Sequence, residues 1–167
     1  QIDTHYSAID NTAGKIGAGT ALSIYGGRLV NTSGLLQSGA DMSINTHQHK
    51  LINTNTRSDS MKIPSEGILA LGDLVIQTQQ FVNDNGYLAT LGQQKVTAQS
   101  IHNHQGIISS QDTQNLIVND IIQNHGGRLS AKGSTISASR IENINQGAIL
   151  SGEQLQMTAT DSLDNTS

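Results

Sequence analysis

The chain repeats one phrase of sequence with little change. NTAGKIGAGTALSI runs from Asn11 to Ile24, and NTSGLLQSGADMSI runs from Asn31 to Ile44. Each matched residue in the second phrase follows its counterpart at the same distance along the chain, as Gly14 and Gly34 illustrate. A fixed period of about 20 residues is typical of proteins that stack one small structural unit many times. The spacing of this phrase therefore decides the fold class.

An asparagine marks the same position in every repeat. The pattern recurs eight times, at a spacing of about 20 residues with one longer interval, and the residue two positions before each asparagine is apolar. The marker asparagines are Asn11, Asn31, Asn53, Asn83, Asn103, Asn124, Asn143 and Asn165. We predict that each lies at a turn, satisfies main-chain groups there and stacks on the next in an amide ladder. We expect the glycine that often follows three residues later to supply a positive φ.

Apolar residues alternate with polar ones inside each repeat, as at Leu129 and Ala131 or at Leu155 and Met157. Alternation with period two indicates β-strands, and each run is too short for a helix. A unit of about 20 residues with three short strands cannot bury its own apolar side, so neighbouring units must stack. The sequence therefore predicts an all-β parallel β-helix, a solenoid of about seven coils, with residues 1–167 as a single repeat segment.

One interval is longer than the others. The separation of Asn53 from the next marker, Asn83, is half as long again as the usual period, and the excess is concentrated in TNTRSDSMKIPSE, Thr54 to Glu66. We interpret this stretch as an insertion loop that leaves one corner of a coil. Arg57, Asp59 and Lys62 would give the loop a mixed-charge tip and are candidate binding residues. A surface excursion without a role is the alternative, since longer loops cost little additional entropy.

The composition limits the classes of function. A formal net charge of −4 gives no basic face for nucleic acid. The sequence has no run of 18 apolar residues, so we predict that the chain does not span a membrane. Zero cysteines exclude disulfides and cysteine-based zinc sites. Because the chain begins at Gln1 without a signal-peptide pattern, we expect it to be an internal fragment of a longer protein.

Histidine pairs raise the question of a metal site. Six histidines are present, including His47 with His49 and His102 with His104. Metal sites need three or four converging ligands, and the sequence shows pairs only, so we predict no metal and no cofactor. His104 and His125 each follow a marker asparagine directly. We therefore expect those two side chains to stack at a solvated corner of adjacent coils.

Parallel β-helices also support polysaccharide lyases and glycosidases. Those reactions need clustered carboxylates that face a groove lined by sugar-binding residues. Here the 13 Asp and Glu residues are scattered along the chain and tryptophan is absent. The sequence therefore predicts no catalytic residues and no enzyme.

The N-T-x-G turn, the short ALSI strand and the period near 20 resemble the haemagglutinin repeats of filamentous haemagglutinin. They also resemble those of the large effectors of contact-dependent growth inhibition, and the resemblance covers Ile9 to Asn165. It implies a right-handed parallel β-helix from an exoprotein of a Gram-negative bacterium. It also implies export by two-partner secretion, with an outer-membrane transporter as partner, and display at the cell surface.

In that family such rods project a distal receptor-binding or toxin region toward another cell. The resemblance therefore implies that this chain is a structural stalk segment of a large secreted adhesin or growth-inhibition effector. The alternative is that the segment itself binds a host or bacterial surface ligand, such as a receptor or glycan. That binding would use the insertion or an exposed sheet face.

Overall fold

Short strands make up the regular structure of the chain. The computed structural model describes residues 1–57 and 65–166, and these ranges contain nineteen strands and no helix. The strands are β1 (Ile2–Asp3), β2 (Ile9–Asp10), β3 (Lys15–Ala18), β4 (Leu22–Tyr25), β5 (Leu29–Thr32), β6 (Leu35–Ser38), β7 (Met42–Asn45), β8 (Lys50–Thr54), β9 (Gly67–Ala70), β10 (Leu74–Gln77), β11 (Gln80–Val82), β12 (Tyr87–Thr90), β13 (Gln94–His102), β14 (Ile107–Ser110), β15 (Thr113–Gln123), β16 (Arg128–Ala131), β17 (Gly133–Glu142), β18 (Ala148–Ser151) and β19 (Leu155–Asp164). Within the same ranges, nothing helical has the length and apolar character needed to cross a membrane.

Every strand pairs in parallel with strands one coil away. One face is a seven-stranded sheet in the order β18-β16-β14-β12-β9-β6-β3. The other two faces belong to a twelve-stranded sheet. Strands β1, β4, β7 and β10 contribute to one of these faces and β2, β5, β8 and β11 to the other, while β13, β15, β17 and β19 bend around the corner and contribute to both. The predicted all-β parallel solenoid is confirmed, with about eight turns and a repeat close to the predicted period.

The core is a continuous column of inward-facing apolar side chains. Leu36, Ile68 and Leu88 occupy the same position on successive coils and are fully buried. Aliphatic side chains of similar size fill most such columns, and Phe81 is the largest side chain that is fully buried. Because each coil buries its apolar side only against its neighbours, the repeat can stay short without large aromatic residues.

The corner after each marker asparagine has the same conformation from coil to coil. The residue two positions after the marker has a left-handed φ, between 48° and 62°, in seven coils. These residues are Ala13, Ser33, Asn55, Asn85, Gln105, Gly126 and Asn145. Asparagine and glycine tolerate this region better than other residue types, which suits them to this position.

Close approach explains the glycine at the third position after the marker. Our expectation that it supplies the positive φ is wrong, because the left-handed residue is the one before it. A Cβ atom on Gly106 would collide with the main-chain oxygen of Asn83 in the previous coil and with Oδ1 of Asn103. Gly86 and Gly127 meet equivalent obstacles. The stacking of main chain on main chain therefore excludes a side chain at these three glycines.

Candidate functional site

The eight marker asparagines form one unbroken ladder of side-chain hydrogen bonds. At each step, Nδ2 of one asparagine donates to Oδ1 of the next at 2.6–2.8 Å. The ladder contains, in order, Asn11, Asn31, Asn53, Asn83, Asn103, Asn124, Asn143 and Asn165. The first seven are buried, with at most 7% exposure, and Asn165 is exposed. We call this set the asparagine ladder.

The second hydrogen of the ladder amide binds the main chain. Asn103 Nδ2 donates to the carbonyl oxygen of Gly106 at 3.1 Å, and Asn124 Nδ2 donates to that of Gly127 at 3.1 Å. Asn53 Nδ2 reaches the next coil, where it donates to the carbonyl oxygen of Tyr87 at 3.0 Å. A ladder side chain therefore closes turns and joins coils at the same time. An apolar residue in its place would leave buried polar groups unpaired.

Three histidines stack beside the asparagine ladder. The ring centroids of His102 and His104 are 5.8 Å apart, those of His104 and His125 are 4.9 Å apart, and the ring planes are within 19° of parallel. The stacking predicted for His104 and His125 is confirmed. His102 was missed as a member because the sequence presented it only as half of a candidate metal pair. We call these three residues the histidine stack.

Two carboxylates border the histidine stack. Glu142 Oε2 accepts a hydrogen bond from Gln123 Nε2 at 3.1 Å and lies 3.0 Å from His125 Nε2. The Gln123 amide first, and the His125 ring after it, hold the pKa of Glu142 below its ordinary value. Asp84 Oδ1 lies 3.3 Å from His104 Nδ1. The stack therefore has an acidic group at each of two coils.

Burial lowers the pKa of His102. The charges of His104, Lys50 and His125 act in the same direction, and the carboxylate of Asp84 opposes them. His102 therefore favours the neutral form in the folded chain. In the ranges that the structure describes, no three His, Asp or Glu side chains converge to hold a metal ion.

The insertion leaves the rod between β8 and β9. Thr54, the first residue of the predicted insertion, is the last residue of β8. The Arg57 guanidinium donates from Nη1 to the carbonyl oxygen of Gln105 at 2.5 Å, two coils further along the rod. Asp59 and Lys62 lie outside the described residues. Of the three candidate binding residues, the structure therefore places only Arg57, and it places it close to the histidine stack.

Thr56 provides a hydrogen-bond acceptor at the point where the chain leaves the coil. In a regular coil, the first N–H of a strand in the seven-stranded sheet donates to a glycine carbonyl of the previous coil, as Ile107 N does to Gly86 O at 2.8 Å. Beside the insertion, Tyr87 N donates instead to Thr56 Oγ1 at 2.8 Å. Thr56 is 1% exposed. Its hydroxyl therefore replaces the main-chain acceptor of a regular turn.

Known proteins offer no guide to these features. Comparison of the chain with protein-family models, curated proteins and solved structures returned no match. The resemblance to haemagglutinin repeats therefore stays a prediction from the sequence.

Asn103→Ala should lower the free energy of unfolding by about 1–3 kcal/mol, because it removes buried hydrogen bonds to Asn83, Asn124 and Gly106. Asn119→Ala is the matched control: Asn119 is exposed, and its loss should change the free energy by less than about 0.5 kcal/mol. Urea denaturation followed by circular dichroism measures both. Equal losses at the two sites would contradict the role of the ladder.

Thr56→Val keeps the shape of the side chain but removes the acceptor for the N–H of Tyr87. We expect it to cost about 1–3 kcal/mol of unfolding free energy, since a buried donor is left unpaired. Thr56→Ser keeps the hydroxyl and should retain most of the stability. If the Thr56→Val and Thr56→Ser variants have equal free energies of unfolding, the hydroxyl of Thr56 is not the acceptor that stabilises this turn.

The stability should fall as the pH drops below the ordinary pKa of histidine, 6.5. Because the folded pKa of His102 is depressed, the unfolded chain binds the proton first. The contribution of His102 to the free energy of unfolding is thus complete above about pH 6.5 and is lost as the pH falls below that value. His102→Gln should flatten this part of the pH dependence in urea midpoints measured between about pH 7.5 and about pH 5. His5→Gln, at an exposed turn, is the control, and an unchanged pH profile for His102→Gln would contradict the assignment.

Proposed function

We propose that the chain is a stalk segment of a large secreted cell-surface exoprotein, an adhesin or a growth-inhibition effector. The stalk holds a distal receptor-binding or toxin region away from the surface that carries it. The asparagine ladder is the observation that supports this most, because it ties every coil to the next in one register. At roughly 4.8 Å per coil, its seven steps span roughly 34 Å.

The outer surface also fits a spacer. Only 13% of the residues are charged, and the outward column that begins at Ser23 continues with Ser43, Val75, Lys95 and Asn115. Small and mostly uncharged side chains of this kind give the flanks of the rod little long-range electrostatic attraction for other molecules. A spacer needs flanks that attract few other molecules.

Coil stacking makes the length of such a rod adjustable. Met157 and Leu163 of the last coil are 37% and 51% exposed, whereas their counterparts Ile136 and Ile141 in the coil below are buried. Each coil thus presents an apolar surface on which another coil can pack. In the proposed function, the reach of the stalk is set by the number of repeats.

The stacking order also suits passage through an outer-membrane transporter. Each coil pairs only with its sequence neighbours, for example β15 with β13 and β17. A chain built this way can fold one coil at a time as it emerges, and zero cysteines mean that it needs no disulfide chemistry to do so.

An in-register deletion tests the stalk. Removing Asn83 to Gln123 joins Val82 to Asn124 and takes out two coils without changing the stacking register, because Val82, His102 and Gln123 share one column. Spin labels on cysteines placed at Ser23 and Gln156 should then lie roughly 10 Å closer together, while the chain stays folded. The control variant lacks Asn83 to Asp112. This deletion places β15 directly after β11, on the wrong face of the coil, so the variant should be unfolded. A folded control, or an unchanged distance, would overturn the proposal.

A recognition role for the insertion is the other candidate, and the bond between Arg57 and Gln105 is the observation that favours it. Replacing residues 58–64 by a short Gly-Ser linker keeps Thr56 and Arg57 in place. A stalk should bind target cells as before. Loss of cell binding with an unchanged melting curve would assign recognition to the insertion instead.

A further inference from the structure

The corner between the two faces of the twelve-stranded sheet varies in length from coil to coil. Two adjacent coils turn this corner with a single residue each, and the coils on either side of this pair use two or three. The corner residues are, in coil order, His47–His49, Gln79, Gln99 and Asn119–Asp120. His47 and Gln48 have positive φ, 46° and 63°, and form the bulge of their three-residue corner. The two short corners are therefore the floor of a groove between two walls.

Uncharged amide side chains line this groove. Its lining contains no Asp, Glu, Lys or Arg among the described residues. Six amides contribute, from Asn45, Gln48, Gln77, Gln79, Gln99 and Asn119. Thr78, Thr97, Ala98 and His47 complete the surface. We call it the amide groove.

The amides of the groove keep hydrogen-bonding capacity for a ligand. Asn45 Nδ2 donates to Gln77 Oε1 at 3.1 Å, and Asn119 Nδ2 donates to Gln99 Oε1 at 3.3 Å. Within the described ranges, the Nε2 groups of Gln77 and Gln99 have no acceptor, and the side-chain amide of Gln79 makes no hydrogen bond. Donors and acceptors thus recur from coil to coil at roughly 4.8 Å.

The rings of Tyr6 and His47 lie side by side at the wall of the groove that contains His47, and we call this pair the aromatic ledge. Tyr6 is 65% exposed, and the centroid of its ring lies 4.4 Å from that of His47 at a tilt of 55°. In the first coil, His5 and Tyr6 have positive φ, 50° and 73°, and form a second bulge at the same corner. Gly27 lies in the coil between the two bulges, and a Cβ atom there would collide with the main-chain oxygen of Tyr6. The glycine therefore allows the two rings to meet above the intervening coil.

We propose that the amide groove binds an uncharged oligosaccharide. Sugar hydroxyls both donate and accept hydrogen bonds, as the amides do, and the apolar face of a sugar ring packs against an aromatic ledge. The lining offers a charged ligand no opposite charge, and Asp120, at the corner that forms one wall, is already paired with Arg140. An added peptide strand would find its main-chain partners occupied, since Thr78 N and Gln99 N already bond to Thr97 O and Gln79 O. This inference goes beyond the stalk role and does not depend on it.

Saturation-transfer NMR with neutral hexasaccharides tests the proposal. The probes are linear hexamers of β-1,4-linked glucose, β-1,4-linked N-acetylglucosamine and α-linked mannose, with a heparin-derived hexasaccharide as the anionic comparison. We expect at least one neutral probe to receive saturation from the chain. Its affinity should be the same in about 50 mM and about 500 mM NaCl, because the groove lining contains no Asp, Glu, Lys or Arg among the described residues. Failure of all three neutral probes, or preference for the heparin fragment, would overturn the proposal.

Alanine substitutions test where on the rod the oligosaccharide binds. Gln79→Ala combined with Gln99→Ala should weaken binding about tenfold or more, and both side chains are exposed, so the fold should be kept. Gln37→Ala combined with Gln111→Ala removes two exposed amides elsewhere on the rod and should leave binding unchanged. Tyr6→Ala, which removes the ledge, should weaken binding several-fold. Equal losses in the two double variants would place the sugar outside the groove.

Discussion

Each asparagine inside the ladder has two amide hydrogens and one side-chain oxygen, and the fold uses all three. One hydrogen and the oxygen join neighbouring coils, and the other hydrogen binds a carbonyl, as Asn103 shows. This works because parallel strands are spaced at about 4.8 Å, which suits amide-to-amide stacking. The same close stacking leaves no room for a Cβ atom at Gly106. Strand register, corner shape and glycine positions all depend on this contact.

The regular part of the chain could be predicted from sequence because the same residue types recur at the same positions of the repeat and so reveal its register. The recurring marker asparagine predicts the coil, and the residue after the marker predicts which side chains stack, as for His104 and His125. The role of the glycines could not be predicted this way. Sequence shows that Gly recurs at that position, but whether φ or close approach requires it depends on the coil beneath.

The irregular features escaped prediction for a related reason. Thr56 substitutes for an acceptor that is lost only because the chain leaves the coil after it, and His102 joins the histidine stack from the strand before the corner. The amide groove arises from differences in corner length between coils. In sequence these differences are visible only as small changes in the spacing of the markers, and their meaning depends on which corners come to lie side by side.

The ladder has a direction as well as a register. At all seven steps the donor lies in the coil nearer the N-terminus, so the side-chain amide dipoles point the same way along the rod. Aligned peptide dipoles give an α-helix opposite partial charges at its ends, and aligned side-chain amides add up in the same way. The partly positive N–H end of this array faces the C-terminal coil and the partly negative oxygen end faces the first. The two ends of the rod are therefore electrically different.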